Sequence, residues 1–363
     1  MNTSRELLVG VEEEFHIVAL DSGRLTSASP ALLEALPGDR YSAELQEATI
    51  EAHSAPWARL EDLAEDLTAT RKALIGTAGE QGLGVLASGT APLFDLADPV
   101  VPPLPRFRRM HDLYRRLAGE QLICGAQVHV DVPDRDLAAR VLQRLAPWLP
   151  VFLALSAGSP FWREADTGYA SYRSVLWQRW PTAGPPGPFA GAAEYEALVA
   201  ELVEQGTILD PGMVYFDVRP SCHLPTLELR ICDACPRVDD VVLLAGLFRA
   251  LVRRECAEEG GFRPVRGELL RSATWRAARS GLGGTLIDPA TGRPEPAGEV
   301  VRGLLAGLRP FLEEAGDWEL VSGLAEALLG RGDCATRQRA VYARSGSLRE
   351  VVAVLLAETG GTG

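Results

Sequence analysis

Three short stretches of the chain place polar or ionisable side chains two residues apart: Glu12 and Glu14 in GVEEEF, Gln127 and His129 in AQVHVD, and Glu228 and Arg230 in TLELR. A spacing of two is the repeat of a β-strand, so each pair shares one face of its strand. The opposite faces are apolar: Val11, Phe15 and Ile17 in the first, where Glu13 joins them, Val128, Val130 and Val132 in the second, and Leu227, Leu229 and Ile231 in the third. The apolar faces predict a shared core. The ionisable faces must line water or a site, because unpaired charge is too costly to bury. For one such strand a solvated sheet face is the ordinary explanation; three strands carrying Glu and His but no Lys point to a common site.

Carboxylates gathered on one surface repel one another, and a polyphosphate brought among them is repelled further. A divalent cation relieves both conflicts. Mg²⁺ takes oxygen ligands from carboxylates and phosphates together, and one imidazole among carboxylates suits Mg²⁺ or Mn²⁺ without demanding zinc. The residue types therefore predict metal-bridged phosphate chemistry with Mg²⁺ or Mn²⁺. Lys72 is the single lysine, and the pattern GxxxxGK[ST] is absent, so metal ions and arginines must hold the phosphates.

The elements that position these residues follow from periodicity. Residues 7–20 read as a strand, and Ser29-Pro30 opens a short helix because proline suits a first helical position. Residues 41–54 fit two patterns: Glu44, Glu47 and Glu51 on a helical face, or Glu47, Thr49, Glu51 and His53 on a strand face. A helix over 58–79 follows from Leu60, Leu63, Leu67, Leu74 and Ile75. A strand is predicted at 83–88, a proline-rich loop at 99–105, a helix over 106–117 and a strand at 122–132. Residues 134–158 read as helix interrupted at Pro147, and 159–191 as one long loop of the functional kind. Strands follow at 213–220 and 226–231, and the chain after Arg237 is mostly helical.

Strands before residue 232 and helices after it predict an α+β fold, an antiparallel sheet with helices covering its apolar face. Residues 1–363 read as a single domain with ends frayed at 1–5 and 358–363. The 47% hydrophobic content fills a sizeable core, and no stretch reaches the length of a membrane span. A net charge of −13 argues against nucleic-acid or anionic-membrane partners. Six cysteines in a chain of this length suit a reducing, cytoplasmic compartment. Cys232-Asp-Ala-Cys235 has no second pair at zinc spacing, and SGLGGT at 280–285 lacks the context of a dinucleotide site.

Six strings stand in the order found in carboxylate-amine ligases of the glutamate-cysteine ligase type 2 (YbdK-type) family: GVEEEF at 10–15, QVHV at 127–130, LALSAGSPF at 153–161, DTGYASYR at 166–173, DVRPSCHLPTLELR at 217–230 and GTLIDPATG at 284–292. The chain resembles that family over about 280 residues. The resemblance implies a glutamine synthetase/guanido kinase-like fold, with a curled antiparallel β-sheet forming an active-site cup and helices packed on its outer face, and a ligase dependent on ATP and Mg²⁺ (or Mn²⁺). Such an enzyme joins a small carboxylate, glutamate or an analogue, to an amine through an acyl phosphate and releases ADP and phosphate. By position it implies Glu12 and Glu14 as a metal-holding pair, and Glu47 and Glu51 as a second acidic region near the metals and the substrate amine. It likewise implies His129 at the nucleotide end with Gln127 beside it, and Glu228 with Arg230 as metal ligand and phosphate-binding base. Arg173 and Arg219 match arginines suited to a substrate carboxylate or phosphate, or to structural ion pairs. The chain departs from the family at Gln127, where histidine is common, at Trp57, where cysteine is common, and at Asp131, where glycine is usual; these departures predict that L-cysteine is a poor acceptor. A homo-oligomer is compatible with this reading. The rival functions are a metal-dependent amidohydrolase and a noncatalytic metal-binding protein of the same fold.

Overall fold

The computed structural model describes residues 7–95, 100–258 and 264–361. Its centre is an antiparallel sheet of seven strands: β1 (Val9–Ala19), β2 (Tyr41–Ala43), β3 (Thr49–His53), β4 (Leu83–Leu86), β5 (Ala126–Asp131), and two more after a separate small hairpin of β6 (Phe161–Trp162) and β7 (Ala165–Asp166), namely β8 (Val218–Pro220) and β9 (Thr226–Leu229). The order is β2-β3-β1-β5-β9-β8, with β4 on the far half of β1. At 11 residues β1 is long enough to pair with β5 over Val9–Glu13, with β3 over Glu12–His16 and with β4 over His16–Ala19.

The sheet curls. Ala43 of β2 and Arg219 of β8, from its two edges, line one cavity of about 300 Å³. Six strands laid flat would separate those edges by roughly 24 Å at about 4.8 Å per strand, too far for so small a cavity. Behind the sheet runs the helix Val238–Ala257, packed on β5 and β1 and itself enclosed by the helices Leu60–Gly79, Arg135–Leu145, Ala297–Ala315 and Trp318–Arg331, so that Val241–Leu247 are buried without interruption. Glu13, the one acid on the apolar face of β1, is neutralised there: Arg71 of the helix Leu60–Gly79 meets it with Nε at 3.1 Å and Nη2 at 2.5 Å, and donates also to the carbonyls of Cys235 and Pro236.

The structure corrects several expectations. Residues 159–191 are not one irregular loop, since they contain the β6–β7 hairpin and a helix at Tyr172–Trp177. Residues 41–54 form the β2–β3 hairpin and no helix, because pairing with β1 gives the β-branched Thr49 and Ile50 a buried sheet position. The helix expected over 106–117 breaks at Arg115, which has φ 52, into Pro105–Tyr114 and Arg116–Gly119. Strand structure in 213–220 is confined to β8, with a turn at Pro211–Met213. The expected fraying at 358–363 is contradicted at Glu358 and Thr359, which are helical; the expectation for residues 1–5, and for 362 and 363, lies outside the described residues. The interruption at Pro147 is present as a 3-10 turn, Ala146–Trp148, between two helices. Among the described residues no helix is long and apolar enough to cross a membrane.

Candidate active site

The strand register aligns the ionisable faces into rows across the sheet. Glu12 of β1 lies opposite His53 of β3 on one side and Gln127 of β5 on the other; Glu14 lies opposite Glu51, which lies opposite Ser42 of β2; His129 lies opposite Glu228, which lies opposite Arg219. Residues directly opposite in an antiparallel pair project to the same face, so the three strands singled out by their spacing, with β3 added, build one polar floor. The cavity over it is lined by Glu12, Glu14, Glu44, Glu51, Gln127, Arg173 and Arg230 and walled by Phe107, Met110, Trp177, Trp180 and Tyr215.

Three sets of donors on this floor have ligand atoms within 4.8 Å of one another: Glu12, His129 and Glu228; Glu12, Glu51 and His53; Glu14, Glu44 and Glu51. Glu12 belongs to two sets and Glu51 to two, so the sets form a chain across the cup. Their electrostatics show how crowded the acids are. Burial, with Glu14 beside it, pushes the Glu44 carboxyl up to about 8. Burial, with Glu44, Glu12 and Glu14 around it, raises Glu51 well above the ordinary carboxylate range. Burial raises Glu14 too, against the pull of Arg173. Glu12 is the exception: burial works against its charge, but His129 holds it below the ordinary value. His129 is raised in turn, against burial, by Glu12 and Glu228. Its Nε2 lies 3.3 Å from Glu12 Oε1 yet makes no hydrogen bond, while Nδ1 contacts Thr226 Oγ1 at 2.9 Å. A buried ring nitrogen without a hydrogen-bond partner and acids short of countercharge are what a hard divalent cation satisfies, so the donor sets fit Mg²⁺ or Mn²⁺.

The basic residues divide by role. Glu228 is buried between two guanidinium groups: Arg219 Nε at 2.8 Å and Nη2 at 3.2 Å, and Arg230 Nη1, which also donates to Gln127 Oε1 at 2.6 Å. Burial opposes its charge, but Arg230 and Arg219 hold it far below the ordinary range. Arg219 further donates to the carbonyls of Gly212 and Val214, both at 2.7 Å. Arg173 enters from the helix Tyr172–Trp177 and donates to the carbonyls of Ile231 and Arg230 at 3.1 and 3.2 Å. It crosses over Gly125, where a Cβ would stand 2.4 Å from Nη2, so the glycine after Cys124 is required by the close approach of that side chain. Gln127 fills the place between Glu14 Oε1, 2.9 Å from its Nε2, and Arg230.

Of the residues singled out by sequence, Glu12, Glu14, Glu51, Gln127, His129, Arg173, Arg219, Glu228 and Arg230 come together on the cup. Glu47 does not. It sits in the turn between β2 and β3, its carbonyl accepting from the amides of Ala28 and Ser29, and Glu44 stands with Glu14 and Glu51 instead. Trp57 also lies apart from the cavity, its indole donating to Asp66 at 2.9 Å. Sequence reasoning missed Glu44 as a site residue, along with Arg106 and Tyr215; Glu44 shared a face with Glu51 only in the helical reading that the hairpin displaced. The thiols of Cys232 and Cys235 are both buried and pushed up, Cys232 to about 12, which leaves the CxxC inert.

The chain matches glutamate-cysteine ligase family 2 (GCS2) over residues 8–354. A Frankia casuarinae protein provisionally named glutamate-cysteine ligase 2-2 is 54% identical over 99% of this chain, and the chain spans only 42% of that relative's length. A Mycolicibacterium smegmatis protein with the same provisional name is 48% identical over 97% of this chain and 89% of its own. Among solved structures, the glutamate-cysteine ligase of Francisella tularensis in complex with AMP superposes with a TM-score of 0.71 at 12% identity, covering 98% of this chain and 93% of that one. That likeness establishes a common fold.

Proposed function

The chain belongs to glutamate-cysteine ligase family 2, and from that premise we propose that it is an ATP-dependent carboxylate-amine ligase, with residues 1–363 as one ligase domain. On this reading it forms an amide bond, γ-glutamyl when glutamate is the donor, through an acyl phosphate and releases ADP and phosphate. The observation that carries the reading is the chain of three donor sets linked through Glu12 and Glu51 across the polar face of the sheet, with Arg230 beside them. A carboxylate is a poor electrophile toward an amine in water, and phosphorylation by ATP makes it a good one.

Glu12, Glu14, Glu44, Glu51, His53, His129 and Glu228 would hold Mg²⁺ or Mn²⁺, which when bound neutralises phosphate oxygens and orients the triphosphate. The remaining work falls to the chain. A second cavity, about 400 Å³, shares Glu12 with the cup; His53, His129, Asp131 and Thr226 give it a polar side, and Leu8, Val11, Pro56, Leu224 and Pro225 an apolar one suited to a nucleotide base. The triphosphate would then run from that cavity past Glu12 toward Glu14, with the donor carboxylate meeting it inside the cup. Arg230, already charged and fixed by Glu228 and Gln127, faces the charge that grows on the transferring oxygens without having to reorganise. Phe107, Trp177, Trp180 and Tyr215 keep water from the acyl phosphate. A carboxylate of the cup accepts the proton that the incoming ammonium must lose.

A coupled assay of ADP release decides the function. The ligase requires ATP, a divalent cation, a carboxylate such as glutamate and an amine together. Amide hydrolysis without nucleotide would instead establish the amidohydrolase, and neither activity across a panel of amino acids and amines would leave a metal-binding protein.

A further inference from the structure

Among the described residues four arginines line the cup: Arg106, Arg173, Arg219 and Arg230. Three of them are buried and committed, Arg173 to backbone carbonyls, Arg219 to Glu228 and two carbonyls, and Arg230 to Glu228 and Gln127. Arg106 differs. It stands in the first turn of the helix Pro105–Tyr114 at the open side of the cavity, its side chain 43% exposed. It pairs with Asp210, itself 38% exposed, through Nε at 3.1 Å and Nη2 at 3.4 Å. Gly212 keeps this contact open, because a Cβ there would lie 2.9 Å from Asp210 Oδ1.

Glu14, Glu44 and Glu51 give the inside of the cup no free cation, and its other arginines are already paired, so a substrate that carries a carboxylate in addition to its reacting group needs a cation at the mouth. An exposed ion pair is worth little and is easily exchanged, whereas a guanidinium fork meeting a carboxylate at the edge of a partly dry cavity makes two charge-assisted hydrogen bonds. Resting on the ligase reading above, we propose that Arg106 reads a non-reacting carboxylate of an amino-acid substrate at the mouth of the cup, exchanging Asp210 for it, with Phe107 and Met110 packing the substrate's aliphatic part. That carboxylate belongs either to the donor or to the acceptor, and the experiment separates the two.

Wild type, R106A, R106K and D210N are compared. Calorimetry with Mg²⁺ and a non-hydrolysable ATP analogue measures L-glutamate against isoglutamine, whose non-reacting carboxylate is an amide. Initial rates of ADP release with glutamate as donor compare glycine with methylamine as acceptor. The expected result is that R106A weakens the carboxylate-bearing member of one pair at least tenfold, about 1.4 kcal/mol, and leaves its neutral counterpart unchanged. R106K is intermediate, and D210N binds the carboxylate as well as wild type or better. Loss in the glutamate pair assigns the donor; loss in the glycine pair assigns the acceptor. Wild-type preference retained in R106A, absence of any preference in a wild type that binds the nucleotide, or equal weakening in D210N and R106A each overturns the inference. A wild type that binds no nucleotide overturns the ligase reading itself, and this inference with it.

Discussion

Glu228→Gln tests the dual position of Glu228 as a candidate metal ligand and as the counterion of two buried arginines. The substitution keeps the volume and removes the charge. Glu228 is 2% exposed and lies between Arg219 and Arg230. Deleting one partner of a buried ion pair costs about 3–5 kcal/mol because the other charge is left unmatched. The glutamine carbonyl still accepts one hydrogen bond from a charged donor, a contribution of about 1.5 kcal/mol or more, so a loss near 3 kcal/mol is expected. Glu12→Gln is the control: its side chain is 26% exposed and its contact with His129 is a single one at 3.3 Å, which places its cost at about 1 kcal/mol or less. Both variants are expected to lose ADP release; only Glu228→Gln is expected to lose stability. Chemical unfolding in EDTA measures the stability difference without any contribution from bound cation. The sign of its pH dependence follows from the lowered carboxyl of Glu228, whose ordinary value is 4.5. Its contribution is fully present above about pH 4.5 and is lost as pH falls toward its folded value, so the gap between variant and wild type should be constant from pH 6 to 8 and shrink in stronger acid. Equal, sub-kcal/mol losses in the two variants would refute the counterion argument.

Other consequences follow from the same geometry. His16 is fully buried and burial lowers its pKa from 6.5 to about 3, so below pH 6.5 the unfolded chain takes a proton that the folded chain refuses; each pH unit removes about 1.4 kcal/mol. Unfolding midpoints at pH 7.5 and pH 5 should therefore fall about 2 kcal/mol further in wild type than in His16→Leu, and identical slopes would show that His16 is not held neutral. ATP should bind at least tenfold more tightly with Mg²⁺ than in EDTA, about 1.4 kcal/mol, because the cup is acidic in a chain of net charge −13; calorimetry giving equal affinities would remove Glu12, Glu14 and Glu228 from the phosphate path. L-cysteine should be a poor acceptor because Gln127 is tied to Glu14 and Arg230 where a histidine is common; efficient formation of γ-glutamylcysteine in the ADP-release assay would contradict this.

The polar floor was legible because the β-repeat is strictly two. Once Val11, Val128 and Leu229 are assigned to the core, Glu12, His129 and Glu228 have no choice but the other face, and no tertiary information is needed to say so. The β2–β3 hairpin was not legible for the opposite reason. Glu44, Glu47 and Glu51 satisfy a helical period and Glu47, Thr49, Glu51 and His53 a strand period, and the choice between them rests on β1 being available to pair with Thr49–His53. The helix inside 159–191 was hidden because six residues are too few to show a period, and its position depends on Arg173 threading past Gly125 onto the carbonyls of Arg230 and Ile231.

By itself, then, the sequence determined the strands that carry Glu12, His129 and Glu228, the faces they offer and the acid-rich chemistry of one face, which depend on neighbours within a few residues, and, through the order of its strings, the family. Only the tertiary structure decided which acids stand together as candidate cation ligands, replacing Glu47 with Glu44, which arginines are spent on holding the fold and which one remains at the mouth, and that Trp57 stands away from the cup. Those outcomes depend on register and curl, which bring residues 14, 44, 51, 106 and 230 to one cavity. Contacts across such separations are set by the packing of the helix Val238–Ala257 against the back of the sheet and by the loops that close over its front, and no local pattern encodes them.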